Sequence, residues 1–227
     1  MTTRLDEQDA SLSTALIDAA SQLSLPLTAD QQAALLSYLG LLQRWNRTYN
    51  LTAIRDPSQM LVHHLVDSMA VVGPLNDVLK GKQQPIVVDV GSGAGLPGVV
   101  VAALCPGMTV HCVDAVEKKA TFIRHVAGVL GLANLHSHHG RVEKLPPFEA
   151  DIVVSRAFAS LSDFVQLAGR HAAAHGRMLA MKGKEREDEI RELHERTSWR
   201  VEDVIRLNVP GLDARRCLLW LSDQGKI

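Results

Sequence analysis

The chain has 227 residues, 46% of them hydrophobic, and a formal net charge of −1 at pH 7. Its length and apolar content predict a globular protein with a substantial core. Its net charge argues against binding nucleic acid through an overall positive charge, so a polyanion would have to bind at a local positively charged patch. No apolar run is long enough to cross a membrane, and the start of the chain is too polar and acidic for a secretory signal, so we expect no membrane span. The three cysteines lack the spacing of a zinc site, which predicts reduced thiols in a cytoplasmic protein and no metal.

The first part of the chain is predicted to be helical. Apolar residues recur at helical spacing from about residue 11 to residue 45, and Thr28 followed by Gln31 predicts a capping box at the start of the second helix. Asp56-Pro57 has the pattern of an N-cap followed by proline at the first position of a further helix. We therefore expect a helical extension over residues 1–80 and a second part over residues 81–227, joined in one compact unit.

Strands and helices alternate after a polar, breaker-rich linker that ends at Pro85. The expected strands are 87–90, 109–113, 151–154 and 177–181, and the expected helices are 96–104, 117–130 and 161–173. This alternation predicts a parallel sheet with helices on both faces. Segments 201–207 and 217–221 then look like two strands with no helix between them, which predicts a closing antiparallel hairpin.

A glycine-rich loop follows the first predicted strand. The pattern Asp89-x-Gly91-x-Gly93-x-Gly95 lets the backbone turn through positive φ and leaves bare main chain for a ligand. The loop also leads into a predicted helix, whose free N–H groups favour polar or anionic ligand groups. Such a loop indicates a site for a nucleotide cofactor.

Two cofactor classes use loops of this kind. Gly93-x-Gly95-x-x-Gly98, with Asp114 roughly 20 residues further on, fits a dinucleotide fingerprint. The acidic Asp89 two residues before the loop instead looks like the first motif of methyltransferases that use S-adenosylmethionine, and we favour this interpretation. A carboxylate in a buried strand is costly unless it is hydrogen-bonded. Asp89 could also serve only to hold the turn by accepting backbone N–H groups, with either cofactor.

Ligands of a doubly wound sheet gather at the carboxyl ends of its strands. The residues in that position are Gly91, Asp114, Val142 and Glu143, Arg156, and Lys182. Asp114 is suited to accept hydrogen bonds from ribose hydroxyls, or alternatively to cap the helix that begins near Glu117.

Several motifs together resemble one family, the ribosomal RNA small-subunit methyltransferases G, formerly called glucose-inhibited division protein B. The matching segments are Arg44-Trp45-Asn46, Tyr49-Asn50-Leu51-Thr52, Arg55-Asp56-Pro57, His64-Leu65-Val66-Asp67-Ser68, Asp89 to Gly98, Arg141-Val142-Glu143, Ser155-Arg156-Ala157-Phe158-Ala159, Lys182-Gly183, Val209-Pro210 and Arg216. The resemblance covers roughly residues 30–222. It implies a Rossmann-like class I sheet and transfer of a methyl group from S-adenosylmethionine to guanine N7 in small-subunit (16S) ribosomal RNA.

The resemblance also implies roles for individual residues. Cofactor contacts are implied at Gly91, Gly93, Leu96, Val142, Glu143 and Arg156, and the general methyltransferase pattern adds Asp114. Candidates on the RNA side are Asn50, His64, Lys182 and Arg216. His64 lies on an apolar helix, where a packed histidine is the better interpretation. Where the family commonly has Arg-His, this chain has Arg216-Cys217, so any role that requires an imidazole there is in doubt.

Guanine N7 carries a lone pair and no proton, so the reaction requires alignment of the reactants and no general base. We expect the cations near the pocket mouth to contact phosphates, which position RNA without reading its sequence. They are Arg141, Arg156, Lys182, Lys184, Arg186, Arg215 and Arg216, although Lys184 and Arg186 fit ordinary solvated charges better. The expected partner is ribosomal RNA or an assembling small subunit, and a monomer is favoured. One alternative is a methyltransferase whose acceptor is a protein or a small molecule. Another is a nicotinamide oxidoreductase or a non-catalytic nucleotide-binding protein.

Overall fold

A computed structural model describes residues 2–226 of the chain, with side chains for residues 7–225. The strands in that range are β1 Ile86–Val90, β2 Thr109–Asp114, β3 Leu135–His139, β4 Ala150–Ser155, β5 Ala172–Lys182, β6 Trp199–Leu207 and β7 Arg216–Asp223. The helices are α1 Thr2–Gln22, α2 Ala29–Tyr49, α3 Pro57–Met60, α4 Asp67–Met69, α5 Val72–Leu79, α6 Gly98–Leu104, α7 Glu117–Leu130, α8 Leu161–Ala168 and α9 Glu187–Arg196.

The strands form one sheet in the order β3-β2-β1-β4-β5-β7-β6. The first five are parallel, and β7 runs antiparallel between β5 and β6. The chain moves outward from β1 to β3 and then returns to place β4 beside β1, which makes the carboxyl ends of β1 and β4 the switch point of the sheet. The predicted fold class, including the closing hairpin, is therefore confirmed.

Local sequence signals explain the helical part. Thr28 and Gln31 form the expected capping box, and the Asp56 side chain accepts a hydrogen bond from the backbone of Gln59 with Pro57 at the helix start. A π-helical segment, Leu61–Val66, joins α3 to α4 without a break in the backbone. In the part of the chain described, no helix is long and apolar enough to cross a bilayer.

The two faces of the sheet bury separate apolar clusters. Helices α1 to α7 cover one face, where Leu35, Leu65 and Phe122 belong to the same cluster as the inward side chains of β1 and β2. Helices α8 and α9 cover the other face, around Phe164 and Trp199. The helical extension and the sheet therefore share one core, as burial of an amphipathic face requires.

Departures from the predicted elements include the boundary between α8 and β5 and the whole of α9. The helix expected over 161–173 ends at Ala168 and a single 3₁₀ turn follows, because β5 begins at Ala172 and not at residue 177. Helix α9 was not predicted, since its sequence is mostly charged. It packs through a narrow apolar face that includes the fully buried Leu193.

Candidate functional site

A cleft of about 550 Å³ opens at the carboxyl ends of β1, β4 and β5. Of the residues predicted to contact the cofactor, Gly91, Gly93, Leu96 and Arg156 line it. Of the RNA-side candidates, His64, Lys182 and Arg216 do. Members of both predicted groups thus lie in one depression.

The loop after β1 forms the floor of the cleft. The backbone N–H of Gly91 donates to the carbonyl of Val113 at 2.8 Å, which fastens the loop to β2. Gly91 has a φ of +69°, and a Cβ atom there would lie 2.7 Å from Cβ of Ala157 on the opposite wall. A side chain at this position would therefore be strained and would also narrow the cleft.

Asp89 holds the far end of this loop. Its Oδ2 accepts the backbone N–H of Gly98, the first residue of α6, at 2.8 Å. Its Oδ1 is buried without a hydrogen-bond partner in the described range, and burial raises the pKa of this carboxyl to about 7. Asp89 therefore has the turn-holding contact considered from the sequence, and it does not line the cleft.

Asp114 supports the same loop from β2. Its two oxygens accept the backbone N–H groups of Gly93 at 2.9 Å and Val116 at 2.8 Å. The N-cap position of α7 is Val116, so Asp114 does not occupy the capping position considered as an alternative. A carboxylate has about four lone-pair sites, so each oxygen can still accept a hydroxyl.

Asp67 joins two arginines inside the cleft. This carboxylate lies on α4 and is buried, and its Oδ2 accepts Nη1 of Arg156 at 3.0 Å. Its Oδ1 accepts Nε of Arg216 at 2.8 Å. No role for Asp67 is predicted from the sequence. The sequence does contain one signal for such a contact, an acidic residue within the apolar segment Leu65 to Met69. A buried carboxylate needs a charged or hydrogen-bonded partner.

The loop that carries Arg156 is fastened at both ends. Ser155 donates its hydroxyl to the carbonyl of Val90 at 2.7 Å and accepts the backbone N–H of Ala157 at 3.0 Å. Lys182 donates to the carbonyls of Phe158 and Ala159, each at 3.1 Å.

Lys182 also donates to Glu189 of α9 at 2.7 Å, and both side chains are largely buried. An ammonium group has three N–H donors, so these protein acceptors use all of them. The observed role of Lys182 is to hold the loop, and its RNA contact stays a prediction. Glu189 was missed because α9 itself was not predicted.

His64 is a packed side chain, as its helical setting predicted. Its Nε2 shares a hydrogen bond of 2.9 Å with the hydroxyl of Thr52. Burial and the nearby Arg156 lower the pKa of His64 to about 4, so it is neutral near pH 7. A neutral imidazole at the cleft wall can contact a base but offers no charge to a phosphate.

The other predicted residues lie outside the cleft lining. Asn50 is exposed and ends α2 with a left-handed backbone, at φ +48°. Val142 and Glu143 form a 3₁₀ turn after β3, beside the end of β2. Their cofactor contacts stay predictions.

A phenol from the helical extension completes the floor. Tyr38 of α2 is fully buried and donates its hydroxyl to the carbonyl of Ala94, in the glycine loop, at 2.8 Å. Burial raises the pKa of Tyr38, so the hydroxyl stays protonated and remains a donor. No local sequence pattern links these two segments, so the contact is not among the predictions made from the sequence.

The strand order, the switch-point cleft and the closing hairpin define the fold of a class I, S-adenosylmethionine-dependent methyltransferase. The chain is similar to a SAM-dependent methyltransferase from Aquifex aeolicus, with a TM-score of 0.56, 18% identity, and coverage of 76% of this chain and 96% of that one. It is also similar to the M1A22 tRNA methyltransferase TrmK of Bacillus subtilis, with a TM-score of 0.52, 13% identity and coverage of 66% of each chain. At these identities the likeness shows the fold.

The particular family follows from sequence comparison. A family model described as rRNA small subunit methyltransferase G matches residues 31–219. A ribosomal RNA small subunit methyltransferase G from Bordetella petrii is 55% identical, covering 91% of this chain and 81% of that protein. One from Acidovorax ebreus is 51% identical, covering 94% and 96%. The chain belongs to the rRNA small subunit methyltransferase G family.

Proposed function

We propose that this protein transfers a methyl group from S-adenosylmethionine to N7 of a guanine in small-subunit ribosomal RNA. The observation that carries the proposal is the single cleft in which the glycine loop of a methyltransferase fold faces Arg156 and Arg216. Family membership supports the class of reaction and of substrate. We further propose that it acts as a monomer in the cytoplasm.

The glycine loop that lines the cleft, and Asp114 behind it, fit this cofactor. Gly91 leaves bare backbone where a side chain would meet Ala157, and Asp114 has spare lone pairs for ribose hydroxyls behind Gly93. When bound, S-adenosylmethionine supplies an electrophilic methyl group on a positively charged sulfur. Asp67 offsets part of the positive charge of the two arginines, which lowers their repulsion of such a cation.

The chain's contribution to the reaction is alignment. The N7 lone pair is free at neutral pH, so no side chain needs to remove a proton before transfer. Holding the base against the cleft floor removes translational and rotational freedom from the step, and this effect can contribute about 7 to 11 kcal/mol. The loops around Gly91 and Arg156 are fastened by backbone and side-chain hydrogen bonds, so little ordering is left for the moment of reaction.

The test uses S-adenosylmethionine with a labelled methyl group. The protein is incubated with ribosomal RNA, small ribosomal subunits, bulk protein and metabolites from a strain that lacks the enzyme. We expect label in small-subunit RNA at a guanine that becomes sensitive to borohydride and aniline, which cleave at N7-methylguanine. Label in protein or metabolites alone, or at another guanine atom, would contradict the proposal. Calorimetry with dinucleotides, expected to show no binding, tests the oxidoreductase alternative.

A further inference from the structure

A second groove, of about 470 Å³, opens beside the cleft and shares Gly183 and Arg216 with it. Its walls are the turn after β5, the end of β6 and the start of β7. These three segments meet at one edge of the sheet because β7 runs antiparallel to both neighbours. We call this depression the hairpin groove. It continues the cleft along the same edge.

The hairpin groove is strongly positive for its size. Lys184, Arg206, Arg215 and Arg216 line it together with one carboxylate, Glu185, so four positive charges and one negative charge leave a local excess of three. The whole chain, in contrast, has a net charge of −1. The groove is the kind of local patch that a polyanion would need.

The cations in the groove differ in how far they are already paired. Arg206 donates to Glu185 at 2.6 Å, and Arg216 is held by Asp67. Lys184 and Arg215 are exposed and form no ion pair with the side chains of residues 7–225. Their charges are therefore available to a partner. The groove changes our interpretation of Lys184, which the sequence alone favoured as an ordinary solvated charge.

We propose that the hairpin groove binds the sugar-phosphate backbone of the RNA strand next to the guanine held in the cleft. The proposal rests on the proposed function, and it names the surface that carries the flanking nucleotides. The residues lining the groove include no aromatic side chain on which bases could stack. Contacts there are made to phosphate, so they position the strand without reading its sequence.

The test is charge reversal at the two unpaired cations, Lys184→Glu and Arg215→Glu, singly and together. The matched control is Lys80→Glu, the same charge change at an exposed lysine before β1, on the opposite edge of the sheet. Affinity for a small-subunit ribosomal RNA transcript is measured over a salt series. We expect the double variant to bind the transcript about tenfold or more weakly. The slope of log K against log salt should fall by about 0.7 to 0.9 for each phosphate that the variant no longer binds.

Calorimetry with S-adenosylmethionine shows whether each variant keeps the cleft intact, and we expect an unchanged Kd. RNA affinity and a salt slope equal to those of Lys80→Glu would overturn the proposal. So would weaker binding to assembled small subunits with unchanged binding to the transcript, which would identify the groove as a protein-binding surface. If the wild-type protein binds the transcript but methylates no RNA, the proposed function fails, while the binding comparison still decides the role of the groove.

Discussion

Arg156 and Arg216 lie side by side in the cleft because they bind the two oxygens of one carboxylate, that of Asp67. The sequence assigned Arg156 to the cofactor and Arg216 to the RNA. Because they share Asp67, the proposed cofactor side and the proposed RNA side of the cleft are linked through one carboxylate. A change at Asp67 should therefore affect the positions of both arginines.

Replacing Asp67 with asparagine should weaken S-adenosylmethionine binding and lower the free energy of unfolding by about 1.5 to 3 kcal/mol, since one hydrogen bond to an arginine is removed and the other loses the carboxylate charge. Calorimetry and urea unfolding measure the two effects. Asp188→Asn is the control, because it removes only an exposed ion pair with Arg186 and should leave both stability and cofactor affinity nearly unchanged. A loss of stability with cofactor affinity intact would contradict a positioning role for Asp67.

Single alanine variants separate the two arginines. Arg156→Ala should weaken S-adenosylmethionine binding about tenfold or more. Arg216→Ala should abolish methyl transfer while keeping cofactor affinity, and its RNA binding should become less sensitive to salt because one phosphate is no longer bound. Should Arg216→Ala lower cofactor affinity and leave RNA binding unchanged, the two assignments are reversed.

Gly91→Ala should reduce cofactor affinity at least about tenfold, equivalent to about 1.4 kcal/mol. The added Cβ would meet Ala157 and would be strained at positive φ. Gly131→Ala is the matched control, since Gly131 has a similar φ of +64° with nothing within 4 Å of an added Cβ, and it lies at the end of α7. Gly131→Ala should lose about 1 to 2 kcal/mol of stability from backbone strain, and Gly91→Ala should lose at least as much because of the added contact with Ala157. Equal cofactor affinities in the two variants would contradict the placement of the cofactor against Gly91.

Asp114→Ala should weaken cofactor binding by about 1 to 3 kcal/mol, because charge-assisted hydrogen bonds are removed but water replaces part of them. Asp151→Ala is a suitable control. Asp151 also accepts a backbone N–H, that of Ile86 at 2.8 Å, but at the opposite end of the sheet. The control should lose stability and keep cofactor affinity. Wild-type affinity in Asp114→Ala would leave Asp114 with a loop-holding role only.

Acid should destabilise the fold. Burial lowers the pKa of His64 and of His111 from 6.5 to about 4, and it also lowers the pKa values of His138 and His171. Between pH 6.5 and about pH 4 these histidines are protonated in the unfolded chain but neutral in the folded one. The stability present above pH 6.5 is therefore lost as the pH falls through this range. The raised pKa of Asp89 acts in the opposite direction, but it involves one proton against at least two.

Urea unfolding between about pH 7.5 and pH 5 measures this dependence. His111→Gln should flatten the curve, since His111 contacts both His136 and His138 and is the centre of a small histidine cluster. His175→Gln, at an exposed position on β5, should leave the slope as in the wild type. A slope of wild-type size in His111→Gln would show that other groups cause the acid sensitivity.

The elements that the sequence predicted well are those set by local interactions. The capping box at Thr28 and the N-cap Asp56 followed by Pro57 depend on residues only a few positions apart. Helix α9 could not be recognised in this way. Its few apolar side chains, such as Ile190 and Leu193, can be recognised as core residues only in the folded chain, where α8 and β6 pack against them.

The residues of the site also differ in whether local sequence patterns could predict them. The glycine loop and the strand-end residue Asp114 were predictable because a parallel sheet places its ligands at one edge. The pairing of Asp67 with Arg216 joins residues 149 positions apart, and that of Tyr38 with Ala94 joins residues 56 positions apart. No spacing rule connects such residues, so only the folded chain brings them together.

The hydroxyl of Tyr38 on the carbonyl of Ala94 also has a consequence for synthesis of the chain. Helices α1 and α2 are synthesised before the strands against which their apolar faces are buried, and their cluster includes Trp220 of β7. Until β1 and β2 have been made, those faces are exposed to other nascent chains. Synthesis of β7, and not emergence of the helices that precede the sheet, is therefore the event that completes this core.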